Sequence, residues 1–254
     1  MNGIFDSHAH YNDAQFDADR DALITSLAAN GVCGVINCAT DYESSVISVE
    51  YARKYPNFYA ACGIHPEDIP SEWQTQLDNI IPLLSDPKCV AVGEIGLDYH
   101  YDEVPREIQR EVFAVQLDIA QQTSLPVIIH DREAHADTLD ILKRYKPKGV
   151  LHCFSGSPET AKEVLRLGMY LGFGGVVTFK NAVKCVETVK MMPLDRLLLE
   201  TDCPYMAPTP FRGKRNDSSL IIYTAQKIAE IRGMDAQEII NIAARNTREL
   251  FNIK

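Results

Sequence analysis

Apolar residues along this chain fall in short, nearly unbroken runs that end in a polar residue, and the runs alternate with stretches of helical period. The runs lie at 3–8 (GIFDSH), 33–38 (CGVINC), 58–64 (FYAACGI), 89–95 (CVAVGEI), 126–130 (PVIIH), 149–153 (GVLHC), 169–173 (MYLGF) and 196–201 (RLLLET). Each suits a strand buried on both faces, where the usual apolar/polar alternation is lost. Between them, 105–124 sets Ile108, Val112, Val115 and Ile119 on one helical face, with Pro105 placed for the first turn. Ser157-Pro158 reads as an N-cap and its following proline, and Asp235 with Glu238 as a capping box ahead of Ile239 and Ile240. Eight strands alternating with helices predict an α/β protein, a (β/α)8 TIM barrel in a single domain over 1–254. The structural alternative is a doubly wound open sheet. It calls for a Gly-rich phosphate loop after the first strand, where DSHAH stands instead.

Composition narrows the function classes. The chain has 254 residues and a formal net charge of −10, which argues against coating nucleic acid or an anionic membrane through the overall field but leaves room for a local positive cleft. Seven cysteines occur singly, with no C-x-x-C pair, and point to reduced thiols in a cytoplasmic protein. No run of about 18 apolar residues supports a membrane span, and nothing in the sequence calls for an obligate protein partner.

In a barrel the chemistry gathers at the carboxyl ends of the strands. Here the first run ends in His8 and His10, the third leads into His65, the fourth carries Glu94, the fifth ends in His130, the sixth reaches His152 and the eighth reaches Asp202. Residues i and i+2 of a strand share a side, so His8 and His10 can grip one cation, although H-x-H alone more often belongs to a structural strand end. Glu94 says more. A carboxylate inside an apolar run is costly unless paired or bound to metal, and no Lys or Arg stands near it in that run. His130 and His152, each alone a hydrogen-bonded core histidine by preference, join Glu94 in a nitrogen and oxygen ligand set. Asp202 completes the ring as ligand or proton acceptor; position alone leaves Glu200 open for the same place.

The blocks FDSHAH, GIHP, GEIGLDYH, PVIIHDREA, HCFSG and LLLETDCPYMAPTPFRGKRN, in this order and spacing, resemble the TatD family of metal-dependent deoxyribonucleases of the amidohydrolase superfamily. The resemblance spans nearly the whole chain. It implies hydrolysis of nucleic-acid phosphodiesters, with 3′–5′ exonuclease character on single-stranded DNA. It also implies two divalent metal ions, Mg²⁺, Mn²⁺ or Zn²⁺: one held by His8, His10, Glu94 and Asp202, the other by Glu94, His130 and His152. His65 then lies in the substrate pocket. One departure is visible, since Asp217-Ser218-Ser219 follows RGKRN where the family continues with an acid and a proline.

On this reading a water activated by the two cations attacks phosphorus and Asp202 takes the proton. Arg212, Lys214 and Arg215 supply local attraction for a polyanion, with Arg132 a weaker candidate. A small-molecule amidohydrolase or phosphotriesterase-like enzyme is the runner-up, then an aminoacyl-tRNA ester hydrolase on the same centre, and last a non-catalytic binding protein. His100, His135, Tyr99, Tyr101 and Trp73 read as surface or packing residues, and Asp6 and Asp13 as supporting or surface acids.

Overall fold

The computed structural model describes residues 1–254. Its eight strands are β1 (Ile4–Ala9), β2 (Val32–Cys38), β3 (Phe58–Cys62), β4 (Cys89–Asp98), β5 (Val127–Arg132), β6 (Gly149–Leu151), β7 (Tyr170–Phe173) and β8 (Leu197–Leu199). All pair in parallel and in sequence order, which excludes the doubly wound alternative. Helices α1 (Arg20–Leu27), α2 (Tyr42–Lys54), α3 (Trp73–Ile80), α4 (Arg106–Thr123), α5 (His135–Tyr145), α6 (Pro158–Arg166), α7 (Val183–Met191), α8 (Ile221–Arg232) and α9 (Ala236–Phe251) surround them. Ser157 caps α6 by accepting from Thr160 N, and Asp235 caps α9 by accepting from Gln237 N and Glu238 N. Pro105 sits at the N-cap of α4, one residue earlier than its sequence suggested.

The core divides as strand alternation requires. Phe5, Ile36, Ala61, Ile128, Val150 and Leu198 fill the barrel, and Leu250 and Phe251 of α9 pack onto the same cluster. Val35, Ala60, Ile129, Leu151 and Leu197 belong to the larger cluster shared with the helices. Alternation then carries Ile128 to His130, Val150 to His152 and Leu198 to Glu200 on the inner side. Two strands need help to do the same. In β1 the register shifts between Asp6 and Ala9, so the inner side passes from Phe5 to His8 and His10. In β4 it shifts between Val92 and Ile95, beside Glu94. Such irregularities re-aim a side chain where plain pleating would turn it outward.

No ladder joins β8 to β1; one bridge, Ala9 to Cys203, and a buried carboxylate close the seam. Asp6 accepts from Thr201 N (3.0 Å), Thr201 Oγ1 (2.6 Å) and Ser218 Oγ (2.7 Å). Ser218, in the stretch that departs from the family pattern, thus anchors its loop to the barrel.

Candidate metal centre

Glu94 stands at the middle of the carboxyl rim, 3 % exposed. Its Oε2 lies 3.2 Å from His8 Nε2 and 3.5 Å from His10 Nε2. Its Oε1 lies 2.7 Å from His152 Nε2, 3.0 Å from His130 Nδ1 and 3.6 Å from His65 Nε2. Asp202 Oδ1 is 3.3 Å from His10 Nε2 and 3.6 Å from His8 Nε2. All the rim residues singled out in the sequence as ligands therefore converge, and the two oxygens of Glu94 face two different pairs of histidines.

Orientation of the rings fits a cation. His10 Nδ1–H donates to Cys38 O (2.9 Å), which leaves the Nε2 lone pair aimed at His8 Nε2, 3.0 Å away. Between two such nitrogens there must lie either a hydrogen or a cation. In the metal-free cluster a proton does this work: burial opposes it, yet Asp202 and Glu94 raise His10 to about 9. His8 moves the other way, to about 4, through burial and the neighbouring His152. His130 rises to about 10 against its burial because Asp98 and Glu94 both hold its proton. Burial penalises the charge on Glu94, but the surrounding histidines keep its pKa far below the ordinary glutamate value. Sets of three ligand atoms close enough to share an ion include His8, His10 and Glu94, then His8, His152 and Asp202, then His65, Glu94 and His130.

The family model described as TatD related DNase matches residues 5–252. The chain belongs to the TatD family. Within it, YabD of Bacillus subtilis (strain 168), an uncharacterized metal-dependent hydrolase, is 44% identical over 98% of this chain and 99% of its own length. A 3'-5' ssDNA/RNA exonuclease TatD from Escherichia fergusonii is 34% identical over 98% and 99%. Among solved structures, the TatD homologue YJJV of Escherichia coli K12 superposes with a TM-score of 0.94 at 34% identity, covering 99% of each chain. This is a family of metal-dependent hydrolases, and a solved member shares the eight-stranded barrel of this chain.

The remaining residues of this TatD chain sort by their contacts. Arg212 lies over the Phe179 ring, 4.4 Å from its centroid, and neither Arg212 nor Lys214 has a carboxylate partner. Arg132 lies 5.1 Å from the centroid of Tyr101, which is exposed. Arg215 departs from its sequence reading: its guanidinium is forked onto Asp19 (2.7 and 2.8 Å) and donates to Gln15 O, so it braces a loop. Tyr99 is tied to Asp137, His100 to Glu133 and His135 to Asp131, and Trp73 is buried at the start of α3. Asp13 accepts from Tyr205 OH.

Asp98 escaped the sequence reading, and Glu200, left open there beside Asp202, falls in a different place. Asp98 accepts from His130 Nε2 (2.8 Å), and Glu200, buried one layer beneath the rim, accepts from Cys153 N. Burial raises Glu200 to about 8. Glu200 Oε1 is 3.8 Å from His152 Nδ1, while Asp202 takes the place beside His8 and His10. The signal for Asp98 was available: it stands four residues past Glu94 on the same strand, hence on the same side.

Proposed function

We propose that this chain hydrolyses nucleic-acid phosphodiesters with two divalent cations, acting from the 3′ end of single-stranded DNA. The observation that carries the reading is the division of Glu94 between two histidine pairs. His8, His10 and Asp202 would hold one ion with Oε2, and His130 and His152 the other with Oε1. Such ions supply the Lewis acidity that polarises a phosphoryl oxygen and brings a water's pKa toward neutrality.

The chain's own side chains do the rest. Asp202, 17 % exposed at its side chain, is the acid with access to an incoming substrate and takes the proton. His65 Nδ1 accepts from Glu67 N (3.2 Å), so its hydrogen is on Nε2 and faces the centre. Burial, with His130 beside it, lowers His65 to about 3 and keeps it a neutral donor to a phosphate oxygen. Arg132, Arg212 and Lys214 provide rim charge. The name of the Escherichia fergusonii relative supports a single-stranded substrate, and seven unpaired thiols support a reducing, cytoplasmic setting.

The test is metal-stripped protein incubated with 5′-labelled single-stranded DNA, RNA and a phosphotriester, with Mg²⁺, Mn²⁺ and Zn²⁺ restored singly. A metal-dependent ladder shortening the DNA from its 3′ end is expected; cleavage of the triester alone overturns the reading. A second substrate belongs in the panel. Glu67, Asp68 and Glu103 line a cavity of about 230 Å³ next to Asp98, and this acidic wall favours a substrate bearing an ammonium group, such as an aminoacyl-tRNA ester.

Metal uptake should depend on pH with a definite sign. His10 and His130 are raised above 6.5, so in the metal-free protein at pH 7 both bind protons that an incoming cation must displace. Affinity therefore weakens as pH falls through about 10 and then about 9, and loading releases acid. Titration with Zn²⁺ in weakly buffered solution should show proton release growing as the starting pH is lowered from 9 to 7.

A further inference from the structure

Asp98 lies outside the ligand set, and its surroundings define what it can do. Its Oδ2 accepts from His130 Nε2 at 2.8 Å. Imidazole carries one hydrogen when neutral, so a hydrogen fixed on Nε2 leaves the Nδ1 lone pair free, and Nδ1 is the atom facing Glu94 Oε1. The other nitrogen-bearing partners are arranged differently. His10 is fixed by a main-chain carbonyl, Cys38 O, and His8 Nδ1 has no partner at all. Apart from Glu94 and Asp202 themselves, a side-chain carboxylate thus hydrogen-bonds a ring on one half of the centre only.

Asp98 is also held independently of His130. Gln109 Oε1 accepts the Asp98 N–H (2.8 Å) and Gln109 Nε2 donates to Asp98 O (2.8 Å). Its Oδ1 takes the His100 N–H (2.9 Å), which sets the carboxylate plane. The acid is buried at 0 % exposure. Main chain and side chain are each pinned, so the Oδ2 position is rigid and the ring must follow it.

We infer that Asp98 is a positioning residue that selects the tautomer and angle of His130, and so governs the cation held by His130, His152 and Glu94 without affecting the one held by His8, His10 and Asp202. The inference rests on the two-cation reading above. Supporting carboxylates of this kind change metal affinity about 10–100-fold when removed.

The experiment uses the full chain, stripped of metal and titrated with Co²⁺, followed by equilibrium dialysis and by the visible absorption of the bound ion. Wild type should take up two equivalents. D98A should keep one equivalent at wild-type affinity and bind the other about 10–100-fold more weakly, with loss of that ion's share of the absorption. D98N, whose amide oxygen still accepts from Nε2–H, should recover most of the loss, an outcome that general loosening of the fold does not produce. The Gln109 side chain bonds only the main chain of residue 98, so melting of the metal-free D98A chain should stay cooperative. Two equivalents bound by D98A with wild-type affinities and spectrum would overturn the inference while leaving the two-cation reading in place. Equal weakening of both equivalents would also overturn it. A wild-type chain that binds no Co²⁺ would remove the reading and the inference together.

Discussion

Replacing Glu94 by Gln should eliminate metal-dependent hydrolysis, with a loss of at least about 10³-fold, because two cations worth several kcal/mol of transition-state stabilisation go at once and each 1.4 kcal/mol is tenfold. The amide keeps the shape of the side chain and one acceptor oxygen, so the change is in charge and in the number of donors it presents. Its NH₂ group would point at His8 and His10 or at His130 and His152, whichever half it faces, and oppose a cation there. The metal-free protein should suffer as well. Protonated His10 and His130 lean on Glu94, at 3.5 and 3.0 Å, and removing one partner of a buried ion pair costs about 3–5 kcal/mol. Part of that cost is relieved as the histidines lose their protons. Denaturation of stripped E94Q and wild-type protein should therefore differ most near pH 6 and converge toward pH 10. Equal stability at pH 6, or retained metal-dependent cleavage, would contradict the arrangement described for Glu94.

Gly96→Ala carries the second large effect, through geometry alone. Gly96 has φ +144°, and a Cβ there would stand 2.0 Å from His130 O and 2.9 Å from His130 C. The collision is with main chain of the neighbouring strand, which cannot rotate aside. The left-handed backbone and the overpacking together should cost about 3 kcal/mol, which at this chain length lowers Tm by about 6–12 °C. His130 moves with its carbonyl, so the weakened protein should also lose the cation that His130 and His152 would hold. Calorimetry and metal analysis on the same sample check both. A variant that melts like wild type would show that β4 and β5 do not approach as closely as 2.0 Å implies.

The strands were legible because both faces of a parallel barrel are covered, so burial wrote continuous apolar runs, and polar residues ending those runs marked the rim. Strand ends were less so. Strand β4 runs to Asp98 rather than Ile95, and β8 stops at Leu199, because pairing there follows the site and not local pattern. The inward aim of His8 and Glu94 depends on register shifts against neighbouring strands, which are properties of two strands and invisible in either. The same holds for Arg215, whose partner Asp19 is 196 residues away, and for Asp6, which looked like a supporting or surface acid and instead holds the seam. Pairings across such distances are chosen by topology.

That seam also sets a timetable. Asp6 and Thr201 meet across 195 residues of chain, and Asp202 joins His8 and His10 through the same junction. During synthesis, with the amino end made first at about 5–20 residues per second, the earliest ligands wait for the last one. A centre divided in this way stays incomplete on the ribosome for most of translation, so any metal-dependent hydrolysis begins only once the polypeptide has passed its eighth strand.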